Sequence, residues 1–207
     1  MKIYTIGHSN YSAERLVDML RKYNINCIVD IRGIAYSQYN VQYNKDIIKS
    51  TLMGTGLSYI YMGNMFGANR ETAESYNEEG YAEFHRVVKE VSFKRGIERL
   101  KDGCRKGYNI VLLGAMQDPI RCHRAILVGR ELSKEGFDVN HIMHDYSIAK
   151  EGEIEKMLLN KYFPNRNQIT LDQLMGTGLN ENDMTNRAYK MANREIGRRV
   201  EKLDLNK

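Results

Sequence analysis

Five short apolar runs alternate with stretches of helical periodicity along this chain of 207 residues, and this alternation limits the fold more than any other feature. The runs are residues 1–6, 25–31, 57–62, 108–113 and 137–143. Strands joined by helical crossovers pair in parallel, and helices cover both faces of such a sheet. The pattern therefore predicts an α/β fold, Rossmann-like and three-layered, with a mainly parallel sheet.

The predicted helices follow the same logic. The first begins after the capping residue Ser12; the others cover residues 45–53, 81–104 with an interruption at Gly96, 121–134 and 153–163, where Pro164 ends the last one. After that the chain is polar and then helical again. We expect an α/β domain over residues 1–163 and a C-terminal helical extension over residues 164–207. Residues 52–57 recur as residues 174–179, but their flanks differ, which favours two similar helix ends over a repeat.

Composition excludes several classes of protein. Hydrophobic residues make up 42% and charged residues 28%, so a buried core is available and global disorder is not expected. No window resembles a membrane span or a signal peptide, so we expect a cytoplasmic protein without membrane contact. Cys27, Cys104 and Cys122 have no CxxC spacing, which predicts free thiols. The sequence indicates neither a cofactor nor an oligomeric state.

The formal net charge of +5 permits attraction to phosphates. Arg187, Lys190, Arg194 and Arg198 form nearly one stripe of the predicted C-terminal helix, which would suit a nucleic-acid backbone. The same stripe could pair with the acidic stretch at residues 71–84, in this chain or in a second copy. The sequence favours this pairing, because charged runs on helices are usually solvated surface.

Polar residues follow three of the predicted strands, where open parallel sheets bind ligands. After the first strand, His8 and Ser9 precede a helix, so the loop could offer backbone N–H groups to an anion beside a histidine. The alternative is that Ser9 caps a helix and His8 is a packed polar residue. This loop is the first candidate site.

The second strand ends in Asp30 and Arg32, with Ser37 further along the same loop. Alternation places Asp30 and Arg32 on one side of the strand, where they could bind an anionic ligand together. The alternative is a structural ion pair that anchors the loop. We favour the functional interpretation, since a charged pair at this position is costly unless it is partnered.

The third group, Cys122, His123 and Arg124, lies near the start of a predicted helix. A thiol at a helix N-terminus beside cations has a lowered pKa, as a nucleophile requires. Adjacent residues do not face each other on a helix, so a Cys122–His123 pair is not implied by their neighbourhood. A small buried cysteine is the alternative for Cys122.

The order of these motifs resembles the domain of unknown function 488 family over roughly residues 1–163. The matching segments are residues 4–10, 29–32 with Ser37, 122–124 and 139–142. The resemblance implies an α/β fold and a bacterial or archaeal cytoplasmic protein, but no established reaction.

The chain departs from the family pattern in four places. Relatives carry a cysteine and a glutamate where this chain has Gly114 and Met116, a proline at Ala35 and often an arginine at Gln38. If the missing cysteine and glutamate belong to a reaction centre, the activity is altered or lost.

The first functional hypothesis is a small enzyme acting on a phosphate-bearing ligand, such as a nucleotide or nucleic acid, in one pocket formed by the three groups. Arg32 and Arg124 would hold anionic groups, His8 or His123 would transfer a proton, and Asp30 would assist. Ser9 and Ser37 would contribute to ligand binding, and Cys122 is a further catalytic candidate.

Three alternatives remain. One is a binding module whose active site has decayed. Another is a rhodanese-like sulfurtransferase or phosphatase, which the position of Cys122, eight residues beyond Gly114, disfavours. The third is a metal site using His8, Cys122, His123 and His141, with His144 nearby; their spacing matches no standard motif, so no metal is expected.

Overall fold

The sheet has six strands in the order β3-β2-β4-β1-β5-β6. The structure is a computed structural model that describes residues 1–166 and 178–197. Its strands are β1 (Lys2–Gly7), β2 (Cys27–Asp30), β3 (Ser58–Tyr61), β4 (Ile110–Gly114), β5 (Asp138–Ile142) and β6 (Ile148–Lys150). The first five pair in parallel, and β6 runs antiparallel to β5 at one edge. The mainly parallel α/β prediction is confirmed. The sequence prediction missed β6, because three residues are too few to show a period.

Helices connect the strands and cover the sheet. They are α1 (Ala13–Lys22), α2 (Lys45–Gly54), α3 (Gly63–Phe66), α4 (Phe84–Val87), α5 (Val91–Arg105), α6 (Arg130–Lys134), α7 (Glu151–Tyr162) and α8 (Glu181–Ile196). The segment Arg124–Gly129 is π-helical and runs directly into α6. Across residues 1–166 and 178–197, none of the helices is both long enough and apolar enough to span a membrane.

The prediction that Gly96 interrupts a helix over residues 81–104 is wrong. The break lies between α4 and α5, at residues 88–90, and Gly96 lies inside α5. Its missing side chain has a packing cause, since a Cβ atom there would lie 2.7 Å from Cζ of Phe66. A glycine in a helical pattern can thus mark close packing instead of a helix end.

Two separate cores show how the layers are arranged. On one face of the sheet, α1 and α2 pack against side chains that include Ile28 and Leu113. On the other face, α5 to α8 pack against side chains that include Val29 and Leu112. The chain leaving β1 therefore turns to one face, and the chain leaving the neighbouring β4 turns to the other. Such a divergence at the carboxyl ends of adjacent strands is where ligands bind in folds of this type.

The C-terminal helix α8 is part of the second core through Ala188, Tyr189 and Ala192. On its outer side, Arg194 Nε donates to Glu79 Oε2 at 2.9 Å, so one member of the basic stripe pairs with the acidic stretch of the same chain. Arg187 and Lys190 are exposed. Arg198 and the second copy of the hexapeptide, up to residue 177, lie outside the described residues.

Gly7, the last residue of β1, allows a close approach to the loop that follows β4. A Cβ atom on Gly7 would lie 1.7 Å from the carbonyl oxygen of Met116, far inside any permitted contact. The approach is held by backbone hydrogen bonds, in which His8 N donates to Gly114 O at 3.0 Å and Ser9 N donates to Ala115 O at 2.8 Å. Gly7 is therefore required by packing between the two loops that form the site.

We predict that Gly7→Ala lowers the free energy of unfolding by about 3 kcal/mol, because the added methyl group must push the two loops apart. Gly54→Ala is the matched control, since a Cβ atom at the end of α2 meets nothing within 4 Å. It should leave stability unchanged or raise it by up to about 1 kcal/mol. Urea unfolding followed by circular dichroism measures both, and equal stability of the two variants would contradict the prediction.

Candidate functional site

Asp30 and Arg32 form a fully engaged buried ion pair at the end of β2. Arg32 donates from Nε to Asp30 Oδ1 at 2.9 Å and from Nη2 to Oδ2 at 2.6 Å, and Tyr59 donates its hydroxyl to Oδ2 at 2.6 Å. Asp30 has 0% of its surface exposed and Arg32 has 5%. The burial of these charges is compensated by two parallel bonds and a phenol, and the two bonds occupy the Nε and Nη2 donors of Arg32.

The remaining contact of Arg32 is with His8. Nη1 of Arg32 donates to Nε2 of His8 at 3.2 Å, and Nδ1 of His8 donates to the Ser9 carbonyl at 2.8 Å. These partners assign the neutral tautomer with its proton on Nδ1. Burial and the charge of Arg32 lower the pKa of His8 to about 4. His8 is therefore an uncharged acceptor at neutral pH, and the ring of Tyr43 stacks on it at 3.9 Å between centroids.

Three N–H groups of the loop after β1 already have partners within the protein. The N–H groups of His8, Ser9 and Tyr11 donate to carbonyl groups of Gly114, Ala115 and His8, respectively. These three are therefore not free to bind an anion. Ser9 has a φ of 47°, a left-handed conformation that is uncommon outside glycine.

The thiol of Cys122 lies at the end of β4, although it is eight residues beyond that strand in the chain. Its Sγ atom is 2.8 Å from the position that a Cβ atom on Gly114 would occupy. The short helical turn Pro119–Arg121, capped by the side chain of Asp118, folds the chain back to this point. The eight residues between Gly114 and Cys122 in the sequence therefore do not separate this thiol from the end of β4 in space.

His123 connects the second and third groups of residues. Its Nε2 donates to the carbonyl of Ile31 at 2.9 Å, and its Nδ1 faces the Cys122 sulfur at 3.9 Å, a long contact. The two neighbouring side chains face each other because Cys122 is extended, with φ −136° and ψ 136°, whereas His123 begins the helical stretch. The sequence could not predict this change of backbone conformation between adjacent residues.

The surroundings of Cys122 favour the thiolate. Burial alone would raise the pKa of the thiol, but the hydrogen bond and charge of His123, together with Arg124, bring it to about 6. Burial opposes the charged form of His123 as well, yet Cys122 and the Ile31 carbonyl raise the pKa of this imidazole. The arrangement is that of a thiolate and an imidazolium that stabilise each other at the start of a helical segment.

Arg124 is completely buried and has an open donor. Its Nη1 donates to Thr5 Oγ1 at 2.7 Å and its Nη2 to the Gln117 carbonyl at 2.8 Å, while Nε has no hydrogen-bond partner. Within the described residues this guanidinium forms no ion pair with a carboxylate. Burial lowers the pKa of Arg124, and the neighbouring Cys122 opposes that effect. The Cys122 sulfur is thus the nearest negative group to this guanidinium, and the Asp118 carboxylate acts on it more weakly.

Ser37 orders the loop after β2. Its hydroxyl accepts hydrogen bonds from the backbone N–H groups of Tyr39 and Asn40, at 3.2 and 3.1 Å. Its own N–H donates to Oδ1 of Asn44 at 2.7 Å. The contacts of Ser37 are therefore those of a loop turn.

A cavity of about 400 Å³ lies beside the site. Three methionines and several polar groups line it: Ser9, Ala115, Met116, Gln117, Asp118, Pro119, Arg121, Met143, His144 and Met157. His8, Arg32 and His123 do not line this cavity. They are joined through the His8–Arg32 hydrogen bond and the Ile31 carbonyl instead, so the three groups form one hydrogen-bonded cluster, and this cavity is not the common pocket that the sequence led us to expect.

Sequence reasoning missed Thr5, Tyr43 and Tyr59, which contact Arg124, His8 and Asp30, respectively. Thr5 interrupts an apolar strand, and that interruption was the available signal. Among residues 1–166 and 178–197, no three histidine, cysteine or carboxylate side chains are grouped so that they could hold a metal ion. His141 is engaged by Thr5 and Glu151.

Comparison with known proteins finds one family. The model of the family described as Domain of unknown function DUF488 matches residues 12–130, which is more than half of the chain. The matched region begins just before α1 and contains Asp30, Arg32 and the Cys122–Arg124 segment. No curated protein and no solved structure matches the chain.

We predict that His8 contributes to acid denaturation. As the pH falls from 6.5 to about 4, His8 becomes protonated in the unfolded chain but stays neutral in the folded protein. The free energy of unfolding therefore decreases over that window. His8→Gln retains an acceptor for Arg32 but does not titrate. Across that window its free energy of unfolding should fall by up to about 3 kcal/mol less than that of the unchanged protein. Urea unfolding at a series of pH values measures this, and parallel losses in both proteins would refute it.

We also predict that Cys122 is alkylated by iodoacetamide with a half-maximal rate near pH 6, because the thiolate is the reactive form. Cys27 and Cys104 are internal controls, since burial raises their pKa, that of Cys27 to about 11. Peptide mass spectrometry after brief exposure at each pH reads all three cysteines. Burial slows the absolute rate, so the midpoint is the criterion; a Cys122 midpoint above about pH 8 would contradict the assignment.

Proposed function

The chain belongs to the DUF488 family, a domain of unknown function, and from the geometry of its site we propose a small cysteine-dependent enzyme acting on a phosphate-bearing ligand such as a nucleotide. The observation that carries the proposal is the buried Cys122 thiol held between His123 and Arg124. Its pKa is lowered to about 6 despite full burial. Strongly perturbed groups at the carboxyl edge of an α/β sheet are typical of catalytic sites.

The charge of the cluster favours an anionic ligand. Arg32 is neutralised by Asp30, whereas Arg124 forms no direct ion pair with a carboxylate among the described residues, has Cys122 and the more weakly acting Asp118 as its negative neighbours, and keeps Nε unpaired. When the thiolate is consumed in a covalent bond, a phosphate oxygen would replace its negative charge beside Arg124. Arg124 thus holds the anion, and the Arg32–Asp30 pair orients His8 and the Ile31 segment behind it.

The proton positions define the roles of Cys122 and His123. Because Nε2 of His123 donates to the Ile31 carbonyl, Nδ1 is the atom that takes the thiol proton. The thiolate attacks phosphorus, an S–P bond forms, and the P–O bond to the leaving group breaks with its electron pair on that oxygen. Nδ1 gives its proton to the leaving oxygen. Water then attacks phosphorus while Nδ1 accepts a water proton, and the S–P bond breaks to restore the thiolate and release inorganic phosphate.

The cavity of about 400 Å³ offers space for the rest of the ligand. Most of its lining residues belong to the loop at residues 115–121, and Cys122 follows this loop directly in the chain. Ser9 lines the same cavity and would contact the ligand there. Turnover requires this loop to move, because Cys122 is only 3% exposed.

Sulfur transfer is a second candidate, supported by the position of the Cys122 sulfur against Gly114 at the end of β4. There the thiolate would attack the outer sulfur of thiosulfate, forming a persulfide and releasing sulfite. Cyanide would then remove that sulfur as thiocyanate. The charge argument for phosphate applies equally to thiosulfate, so the two candidates differ in the reaction and not in the residues.

We predict that the protein releases inorganic phosphate from p-nitrophenyl phosphate or nucleoside monophosphates, and that Cys122→Ser and His123→Asn each lower the rate at least about 100-fold. Cys104→Ser is the matched control, because Cys104 lies in α5, outside the site, and should retain full activity. Thiosulfate and cyanide are tested in parallel.

The outcomes separate the hypotheses. Phosphate release that survives Cys122→Ser would overturn the proposal. Thiocyanate formation that depends on Cys122, without phosphate release, would select sulfur transfer. Stabilisation by inorganic phosphate without any turnover would select a binding module with a decayed active site.

A further inference from the structure

A chain of buried hydrogen bonds leads away from the site, through the sheet, to the C-terminal helix. Arg124 Nη1 donates to Thr5 Oγ1 at 2.7 Å, and Thr5 Oγ1 lies 2.8 Å from His141 Nδ1. His141 Nε2 is 3.1 Å from Glu151 Oε2, and the Tyr189 hydroxyl donates to Glu151 Oε1 at 2.7 Å. Thr5, Arg124 and His141 are each 0% exposed. None of these contacts beyond Arg124 is used by the proposed reaction.

The proton positions along this series of hydrogen bonds follow from its first donor, Arg124. The Thr5 oxygen accepts from Arg124, so the single hydroxyl proton of Thr5 is directed at Nδ1 of His141. The imidazole proton then lies on Nε2 and is donated to Glu151. His141 is neutral in this arrangement, and burial lowers its pKa.

The position of Arg124 depends on this series of hydrogen bonds. Its guanidinium has no carboxylate partner among the described residues and is held by two acceptors, the Thr5 hydroxyl and the Gln117 carbonyl. The Cys122 Sγ and Arg124 Cδ atoms lie 2.8 and 3.1 Å from one point, the place of a Cβ atom on Gly114. A change in the Thr5 acceptor would therefore move the positive charge relative to the sulfur.

We propose that Thr5 and His141 are positioning residues that hold the Arg124 guanidinium beside the Cys122 sulfur. His141 fixes the rotation of the Thr5 hydroxyl, so that the Thr5 oxygen presents its lone pairs to Arg124. Glu151 fixes the tautomer of His141 from the start of α7, as carboxylates commonly do for functional histidines. The inference rests on the proposed role of Cys122 as a thiolate, but it needs no substrate.

Several other charged groups face these residues. His123, Asp118 and Tyr11 surround the Arg124–Cys122 pair. On the far side, Glu155 lies near Glu151 and Tyr189, and the Arg130 guanidinium lies 3.8 Å above the Tyr189 ring. All of them remain unchanged in the variants below, so a shift in Cys122 acidity reports on the Thr5–His141 link.

The pH dependence of Cys122 alkylation by iodoacetamide tests the proposal. Thr5→Val has nearly the same shape but no hydroxyl, and we expect it to raise the alkylation midpoint by about one pH unit, because Arg124 loses its acceptor and moves from the sulfur. Thr5→Ser keeps the hydroxyl and should restore the midpoint of the unchanged protein. His141→Leu should shift the midpoint in the same direction as Thr5→Val, and His141→Asn, which retains an acceptor, should shift it less.

Urea unfolding is measured on the same samples. A merely structural role predicts lower stability of Thr5→Val with an unchanged Cys122 midpoint, and that result would overturn the proposal. If Thr5→Val does not fold, the proposal is tested by comparing the Cys122 alkylation midpoints of His141→Leu and His141→Asn. Phosphatase activity is not needed for this readout, so a shifted midpoint in a protein without turnover would support the positioning role and count only against the proposed function.

Discussion

The contact between the loops that follow β1 and β4 is the constraint on which the site depends. These strands are neighbours, but their connections turn to opposite faces of the sheet, which would normally leave a crevice between them. Gly7 lets the Met116 carbonyl lie against β1, and the N–H groups of His8 and Ser9 then close the crevice by bonding to Gly114 and Ala115. The loop at residues 115–121 is thereby held against the end of β1, and it lines the cavity together with Ser9.

Two buried arginines at this edge have their charges compensated in different ways. Arg32 has a carboxylate, Asp30, in a bidentate pair. Arg124 has a hydroxyl, a carbonyl and a thiol. A neutral hydroxyl and carbonyl can orient a guanidinium but cannot balance its charge, so Cys122 and the Asp118 carboxylate are the groups that oppose it. His123 is the larger cause of the lowered pKa of Cys122, and Arg124 adds to it, so the charge of Arg124 and the acidity of Cys122 are coupled.

The sequence predicted the sheet well, because apolar periodicity reports burial, and the three groups of polar residues lie close together because the ends of parallel strands meet at one edge. It failed where backbone conformation changes within a few residues. The helical turn at Pro119–Arg121 returns Cys122 to the strand it had left, and the extended backbone of Cys122 turns its side chain toward His123. The sequence could not predict the contact between Thr5 and His141 either, since these residues are 136 positions apart. Only the register of β1 on β5, which pairs Thr5 with His141, brings them together.

The geometry gives a packing reason for the glycine at residue 114. The resemblance to the family suggested that glycine here marks a missing cysteine. However, any side chain at residue 114 would begin 2.8 Å from the Cys122 sulfur and 3.1 Å from Cδ of Arg124. Glycine is thus the residue that lets Cys122 and Arg124 share the end of β4, and a cysteine at this position would require one of them to move. Residues 122–124 are themselves part of the resemblance, so Cys122 does not replace the missing cysteine; in this chain Gly114 leaves the end of β4 to Cys122 and Arg124 alone.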